Sequence, residues 1–321
     1  MPSEPPTAPA EPPTAPAASG AAPSGAGRGG RRRIGLRALG EGGWVPAPAP
    51  PWSRAAVPAL CSHGGRLYAA VADPADGTLL WSTLGAPGTA WGAPVRLRPR
   101  GGPPSGGLRP ALVPVGAVLW CLYAEAGGGA VHACPLAAGR PGAAVRLPHQ
   151  HARADLDALA ADGRRRVRTA VRRGPGDAVL AEWRLPYRAA RPWSHRDQGW
   201  LTDGDCPGGL SLARLGGTTW AAHRRDDGTL SALAWSPERF GPVWDLSGPL
   251  TGHAPALTAH GGGLWLAHRE QGTGLLLACS SPDGHRWSPL SPVLPDPVAP
   301  AAPVLASHAG RLYAAYAVGG R

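Results

Sequence analysis

The sequence predicts an all-β fold, a six-bladed β-propeller of four-stranded blades, closed by pairing of the N- and C-terminal strands. Glycine and proline account for 47 and 39 of the 321 residues, and only 17% are charged. This composition favours a turn-rich β protein, because both residues destabilise helix interiors. An apolar segment also recurs at about the length of one propeller blade. The last repeat is incomplete, and a matching half-repeat lies near the N-terminus.

A low-complexity segment precedes the repeats. Residues 4–10 and 11–17 both read EPPTAPA, and Gly, Ala and Ser follow up to the arginine run at 31–33. Such a composition is typical of a disordered, partly polyproline-II tail. The sequence therefore predicts a disordered tail at 1–33 and a propeller domain at 34–321.

Six repeat units share an apolar segment that ends in an anchor leucine. The anchors are Leu60, Leu112, Leu159, Leu212, Leu257 and Leu305. They are separated by 52, 47, 53, 45 and 48 residues. In five units an aromatic residue follows eight positions later: Tyr68, Trp120, Trp220, Trp265 and Tyr313. The third unit has Val167 there. The alternating apolar pattern around these positions predicts half-buried strands.

The final unit stops after two strands, at residues 310–321. Residues 34–46 match the third strand and following turn of a unit, with Trp44 in the position of Trp91. Pairing the two chain ends within one blade removes the exposed edges of an open sheet. We therefore expect five complete blades and one blade shared between the chain ends.

Tryptophan follows the repeat, since 11 of the 13 indoles fall in three repeat positions. The first position holds Trp120, Trp220 and Trp265; the second holds Trp81, Trp183 and Trp235; the third holds Trp44, Trp91, Trp193, Trp244 and Trp287. A residue that recurs in every blade is first a packing residue. We interpret most of these indoles as contacts between blades rather than platforms for a ligand.

The net charge of +11 raises the question of nucleic-acid binding. The chain has no lysine and no asparagine, and its arginines cluster only at 31–33 and around 164–173. An arginine-rich composition of this kind is typical of GC-rich coding. We predict no nucleic-acid partner.

Five cysteines are present without a CxxC pair or zinc spacing, so we predict buried thiols and no metal site. Cys121 and Cys134 are the one pair that could meet across a hairpin. No apolar stretch resembles a membrane span or a signal peptide. This predicts a cytoplasmic protein, with secretion as the alternative if the start is misassigned.

The segment SPDGHRWSP at 281–289 resembles the Asp-box turn of sialidase-like propellers, shortened by one residue between Asp283 and Gly284. In that family the turn is structural, which implies that Asp283 and Trp287 belong to the scaffold. The whole repeat across 34–321 is similar to those of propeller lectins, including fucose-binding and sialidase-like bacterial sugar-binding proteins. This resemblance implies sugar sites between adjacent blades, where an arginine and a carboxylate bind hydroxyls and an aromatic ring stacks on the sugar.

Two units carry residues that suit such a site. His223-Arg224 and His268-Arg269 follow their anchors by eleven and twelve positions, and Glu270 comes next in the second unit. Arginine offers a rigid fork of donors and glutamate offers acceptors, as a vicinal diol requires. The alternative is a solvated rim or a cation–π contact with a neighbouring tryptophan.

No catalytic residue can be assigned, because GxSxG, P-loop and dinucleotide-binding motifs are absent. A sialidase would need a tyrosine nucleophile, for which Tyr123, Tyr187 and Tyr316 are candidates that no motif links to an acid. Carboxylates at 155 and 157, or at 203 and 205, are spaced to project from one side of a strand, but a turn explains the pair at 203 and 205 equally well. We therefore predict a non-catalytic, lectin-like propeller with a glycan partner and no cofactor. A sialidase-like hydrolase and a protein-interaction scaffold are the alternatives.

Overall fold

A computed structural model describes residues 33–318 of the chain. Within this range the description leaves out the segments 53–56, 74–75, 86–89, 98–103, 105–107, 138–139, 153–154, 163–164, 175–176, 187–192, 202–207, 237–238 and 247. The predicted tail up to residue 32 lies outside this range. Among the described residues, regular structure is entirely β, and no helix is long and apolar enough to cross a membrane.

The strands form six sheets, named here as blades in chain order. The chain starts with β1 (Arg33–Gly40) and β2 (Gly43–Ala47). Blade 1 contains β3 (Ala59–His63), β4 (Arg66–Ala72), β5 (Leu79–Leu84) and β6 (Val95–Leu97). Blade 2 contains β7 (Ala111–Val115), β8 (Val118–Ala124), β9 (Ala130–Ala137), β10 (Arg140–Pro141) and β11 (Val145–His151). Blade 3 contains β12 (Asp155–Asp162), β13 (Arg166–Gly174), β14 (Asp177–Arg184) and β15 (Ser194–Leu201).

Blade 4 contains β16 (Gly208–Leu215), β17 (Thr218–Arg224), β18 (Leu230–Ser236) and β19 (Arg239–Leu246). Blade 5 contains β20 (Ala256–His260), β21 (Gly263–Arg269), β22 (Leu276–Ser281) and β23 (Ser291–Pro292). The last two strands are β24 (Val304–His308) and β25 (Arg311–Val318). Strand pairing within the blades is antiparallel and sequential, except that β10 and β11 both pair with β9 at the outer side of blade 2.

The first strands of successive blades contact one another in a closed ring, from β3 through β7, β12, β16, β20 and β24 back to β3. Blade 6 closes this ring with the strand order β2-β1-β25-β24. Strand β1 pairs with β25 from Arg33 opposite Val318 to Leu39 opposite Leu312. The predicted six-bladed propeller and its closure by the two chain ends are therefore confirmed.

The hydrophobic core is divided among the junctions between blades. Each of six apolar clusters joins two adjacent blades, and blade 6 also packs against blade 1. Trp120, Trp220, Trp183 and Trp235 are buried in these clusters, as expected for packing residues. Because side chains alternate along a strand, each strand contributes to two neighbouring junctions.

Blade 3 differs from the predicted repeat by one residue. The anchors Leu60 and Leu212 pack towards the preceding blade. In blade 3 it is Ala158 that packs towards the preceding blade, whereas Leu159 packs towards blade 4. Val167 keeps the predicted place in the pairing, opposite Ala160, but packs towards blade 2. Arg168 therefore takes the face towards the following blade that the aromatic residue has in other units. Its guanidinium lies 4.6 Å from the centroid of the Trp235 ring. A planar guanidinium can stack on an indole and thus replace the aromatic side chain.

The grouping of Trp81 with Trp183 and Trp235 was also wrong. Trp183 and Trp235 pair with Val167 and Thr219 and pack towards the preceding blade. Trp81 pairs with Ala70 and packs towards blade 2, which follows it. A shift of one residue along a strand turns a side chain to the other face, and the spacing of tryptophans alone does not reveal it.

The described cysteines are free and buried, as predicted. Cys121 and Cys134 lie opposite each other on β8 and β9 without forming a disulfide. Burial raises the pKa of the Cys61 and Cys279 thiols to about 12. These thiols are therefore protonated packing groups at neutral pH. Cys206 lies outside the described residues.

Candidate functional site

The two predicted His-Arg pairs occupy equivalent positions in adjacent blades. Leu212 pairs with Ala221 and Leu257 pairs with Leu266, which places the pairs at the ends of β17 and β21 in the same register. The residues are His223, Arg224, His268 and Arg269, with Glu270 immediately after β21. The structure thus supports the sequence alignment of the two units.

Alternation along each strand separates the two members of a pair. Arg269 turns towards blade 6, where its Nε donates to the carbonyl of Val298 at 3.1 Å. Arg224 faces blade 5, because its cross-strand neighbour Leu230 belongs to the apolar cluster between blades 4 and 5. His268 lines the cavity at that same junction. The junction between blades 4 and 5 therefore receives Arg224 from one blade and His268 from the next.

The other predicted residues lie elsewhere. His223 is buried and has Leu210 as its cross-strand neighbour, in the cluster between blades 3 and 4. Glu270 lies beside the loop after β21, where its carboxylate accepts a hydrogen bond from the Thr273 hydroxyl. The main chain of Glu270 forms an isolated bridge with Thr251. The five predicted residues are thus distributed over three junctions.

A cavity of about 360 Å³ lies between blades 4 and 5. Its polar side chains include His268 and His285 from blade 5, and Asp245 of blade 4 borders it. Trp287, Leu230 and Leu266 contribute aromatic and aliphatic surface. Small-molecule sites commonly combine an apolar wall with a few convergent polar groups in this way.

His268 is the most unusual group in this cavity. It is fully buried, and neither ring nitrogen has a hydrogen-bond partner in the described part of the chain. Burial lowers the pKa of His268 to about 4, and the Arg269 backbone and the charge of Glu270 offset only part of this effect. At neutral pH the ring is uncharged and presents one donor and one acceptor.

Asp245 borders the cavity, but its carboxylate lies on the other face of blade 4, because its cross-strand neighbour Ser231 is in turn the neighbour of His223. One carboxylate oxygen, Oδ1, accepts hydrogen bonds from the Ser231 hydroxyl at 2.9 Å and from the Arg225 guanidinium at 2.8 Å. Sequence reasoning missed Asp245, because the matching position in blade 1 holds Arg96 and no repeat marks it. Its position next to Trp244 at the outer edge of the blade was the available signal.

The shortened Asp-box builds the wall contributed by blade 5. Asp283 accepts hydrogen bonds from the backbone of His285 at 2.8 Å and Arg286 at 2.9 Å, which lowers its pKa. The Nε1 of Trp287 donates to the Gly284 carbonyl at 3.2 Å. This agrees with the implied scaffold role of Asp283. Trp287 is part of the same turn and also lines the cavity.

His285 is a second residue that sequence reasoning missed. Its ring packs edge-on against Trp244, with centroids 4.3 Å apart, and against Trp220 at 5.3 Å. These two indoles come from blade 4, so they hold the Asp-box turn across the junction. The position of His285 between the aspartate and the tryptophan of the box was the only sequence signal for it.

Other junctions carry larger or apolar side chains at the position of His268. Tyr316 packs with Leu276 and Val298 between blades 5 and 6. Val71 lies in the apolar cluster between blades 6 and 1, and Tyr123 lies in the cluster between blades 1 and 2. Ligand sites at these places would therefore be unequal.

An axial cavity of about 310 Å³ is lined by the first strands of all six blades. Asp157 lies in it and accepts hydrogen bonds from the backbone of Leu212 at 2.8 Å and the hydroxyl of Ser211 at 3.1 Å. Burial raises its pKa, against the opposing charge of Arg109. These bonds tie blade 3 to blade 4. The alternative acids at 203 and 205 and the tyrosine at 187 lie outside the described residues.

The hydroxyl of Tyr123 has no hydrogen-bond partner among the described residues, and burial, with smaller contributions from Cys134, Cys121 and Glu125, raises its pKa. Tyr123 and Tyr316 are buried at blade junctions. Glu182 is fully buried and forms ion pairs with Arg166 at 3.3 Å and Arg168 at 2.9 Å. No group of three or more metal-ligating side chains occurs among the described residues.

No protein-family model matches the sequence, and none of the curated proteins matches it. Several solved structures are similar in fold. The structure of AofleA from Arthrobotrys oligospora has a TM-score of 0.61 at 10% identity and covers 89% of this chain and 83% of that one. The fungal lectin from Aleuria aurantia, reported with a six-bladed β-propeller fold and a fucose recognition mode, has a TM-score of 0.55 at 13% identity, covering 79% and 85%.

A microbial sialidase, Hz136, is also similar, with a TM-score of 0.54 and 11% identity over 83% of this chain and 66% of that one. Identities this low establish a shared propeller fold and leave activity to be argued from the site. The predicted resemblance to lectin and sialidase propellers is therefore confirmed as a likeness of fold.

Proposed function

We propose that this protein is a carbohydrate-binding, lectin-like propeller that binds its ligand in the cavity between blades 4 and 5. The observation that carries the proposal is the fully buried His268, which lines the cavity with both ring nitrogens unpartnered among the described residues. A buried polar group without a partner is destabilising, and native structures contain few of them. A ligand hydroxyl would satisfy the imidazole.

The chemistry of the cavity fits a sugar. The neutral His268 ring can donate to one hydroxyl and accept from another. Trp287 offers an indole for the apolar C–H face of a pyranose ring. The cavity volume of about 360 Å³ falls in the range of small-molecule sites. The sugar recognition named for the Aleuria aurantia lectin supports this choice of ligand class.

The five predicted residues do not all have a role in the proposed site. His268 is assigned to ligand contact, and Arg224 extends from blade 4 at the same junction. His223, at the equivalent position one junction earlier, stays a prediction. Arg269 and Glu270 also stay predictions, and the contacts of Arg269 with Val298 and of Glu270 with Thr273 would compete with a ligand.

A glycan array followed by calorimetric titration of the best ligand tests the proposal. We expect binding by the native chain and a loss of about tenfold or more in affinity for His268→Phe, which keeps an aromatic ring and removes both nitrogens. His308→Phe is the matched control. His308 is also buried, but its Nδ1 is hydrogen-bonded to Ser62 at 2.9 Å in the contact between blades 6 and 1.

Absence of glycan binding by the native chain would overturn the proposal, as would unchanged affinity in His268→Phe. Thermal denaturation of both variants shows whether an affinity loss reflects the site or the fold. A panel of fluorogenic glycosides run alongside distinguishes binding from hydrolysis. Turnover would favour the sialidase-like alternative over a non-catalytic lectin.

A further inference from the structure

We propose that the sugar recognised between blades 4 and 5 is anionic, and that Arg224 binds its carboxylate or sulfate group. This inference rests on the function proposed above and specifies its ligand class. Most of the arginines near the cavity have partners among the described residues, whereas Arg224 has none.

Arg224 lies beside the cavity. It ends β17 and pairs with Leu230 on β18, so the two side chains extend from the same face of blade 4. The side chain of Leu230 lines the cavity, together with Leu246, its neighbour on β19. A long guanidinium side chain starting one strand away can therefore reach a ligand that occupies the cavity.

The other arginines near this junction have partners. Arg225 is ion-paired with Asp245 at 2.8 Å, and Arg286 lies 3.8 Å from Asp283. Arg269 donates to the carbonyls of Val298 and Glu270. Arg224 forms no ion pair or hydrogen bond with the described residues, and its Nε is buried from solvent.

A nearby histidine, His253, lies within the positive potential of Arg224 and Arg269. It lies on the segment from Gly248 to His253 that joins blade 4 to blade 5, whose first residues line the cavity. Burial lowers the pKa of His253, and the charges of Arg269 and Arg224 lower it further. The positive charges of two arginines therefore both reach His253, which lies close to the ligand cavity.

A guanidinium is never deprotonated in proteins, so an unpartnered and partly buried one favours an anion. Carboxylate and sulfate both present paired oxygens that match its planar fork. A sugar that carries such a group could place its ring against His268 and Trp287 and its anion at Arg224. A neutral sugar would leave the guanidinium without a partner.

Matched pairs of sugars test the ligand class. The native chain is titrated with neutral methyl hexosides of gluco, galacto and manno configuration, each beside its uronate and its 6-sulfate. We expect the anionic member of a pair to bind about 10- to 100-fold more tightly, as for a charge-assisted hydrogen bond. The preference should fall as salt concentration rises. Free acetate and free sulfate are titrated in parallel.

Arg224→Gln should abolish the preference for the anionic sugar, measured as the ratio of the two affinities within each matched pair. Arg311→Gln removes the same charge from an exposed position in blade 6 and should retain the preference. Equal binding of neutral and anionic sugars, or an unaltered preference in Arg224→Gln, would overturn this inference while the lectin function stands. Binding of acetate or sulfate with no gain from a sugar ring, or no binding at all, would overturn both.

Discussion

Among single residues, His268 is the one whose burial has the clearest thermodynamic consequence. Its pKa of about 4 in the folded protein lies below the value of 6.5 for an unperturbed histidine. The unfolded chain therefore binds a proton more readily than the folded one as the pH falls below about 6.5. The free energy of unfolding therefore contains the full contribution of neutral His268 above about pH 6.5. This contribution is lost progressively between about pH 6.5 and about pH 4.

We predict that His268 contributes about 3 kcal/mol to the acid destabilisation of the propeller over this interval. The measurement is the free energy of unfolding by urea at several pH values for the native chain and for His268→Phe. The difference between the two curves should change with pH below about 6.5 and stay constant above it. Parallel curves across the interval would contradict the prediction, whatever the other histidines contribute.

Gly284 shows how strongly a single turn residue can be constrained. Its φ is +82°, and a Cβ added there would lie 2.3 Å from the Trp220 ring. Left-handed backbone strain and overpacking of a buried indole should together make Gly284→Ala about 2–4 kcal/mol less stable. Gly272→Ala is the matched control, since no atom lies within 4 Å of its added Cβ. We expect it to stay within about 0.5 kcal/mol of the native chain in the same denaturation experiment.

At the scale of strands and blades, the repeat predicted the number of blades because its period depends on all four strands. It did not predict the face that each side chain takes in blade 3, where Arg168 lies on the side that holds the aromatic residue in other blades. A pattern of apolar residues cannot identify a guanidinium that stacks on Trp235 and pairs with buried Glu182. Such a substitution becomes visible only when the facing blade is known.

Only part of the site could be predicted, because some of its residues can be recognised only when the facing blade is known. His268 stood out because its repeat position carries no histidine in most units. His285 did not, because it acquires meaning only across the junction, from Trp220 and Trp244 on the adjacent blade. Adjacency in sequence also suggested that His268 and Arg269 act together, whereas strand alternation turns them to opposite faces.

Closure of blade 6 by β1 gives an element-scale prediction. A chain beginning at Arg31 keeps β1 and β2 and should retain the melting temperature of the full chain within about 2 °C. A chain beginning at Pro48 lacks both strands, exposes the edge of β25 and uncovers the cluster around Leu60 and Tyr313. We expect that chain to lose cooperative melting and to aggregate, because unpaired edge strands associate. Circular dichroism melting and size-exclusion chromatography provide the measurement. Equal stability of the two truncated chains would contradict the role of β1 in closure.

At the scale of the whole propeller, a ring of six similar blades does not imply six similar sites. The position of His268 holds Tyr316, Val71, Tyr123 and Val171 in four other blades, and these side chains pack in the apolar clusters of their junctions. The backbone of Gly35 also lies directly against the Tyr316 ring, which closes the junction between blades 5 and 6. Ring symmetry therefore supplies the scaffold, and departures from the repeat supply the site.

We predict that one chain binds one sugar, at the junction between blades 4 and 5. Calorimetric titration with the best array ligand should give a stoichiometry near one per chain, and His268→Phe should remove this single event rather than one of several. Because crosslinking needs at least two sites, a monomeric preparation should bind glycan-coated beads without agglutinating them. His223→Phe provides the internal comparison, since His223 holds the equivalent position between blades 3 and 4. A stoichiometry of two, with one event lost in each variant, would contradict the single-site prediction and assign the second site to His223.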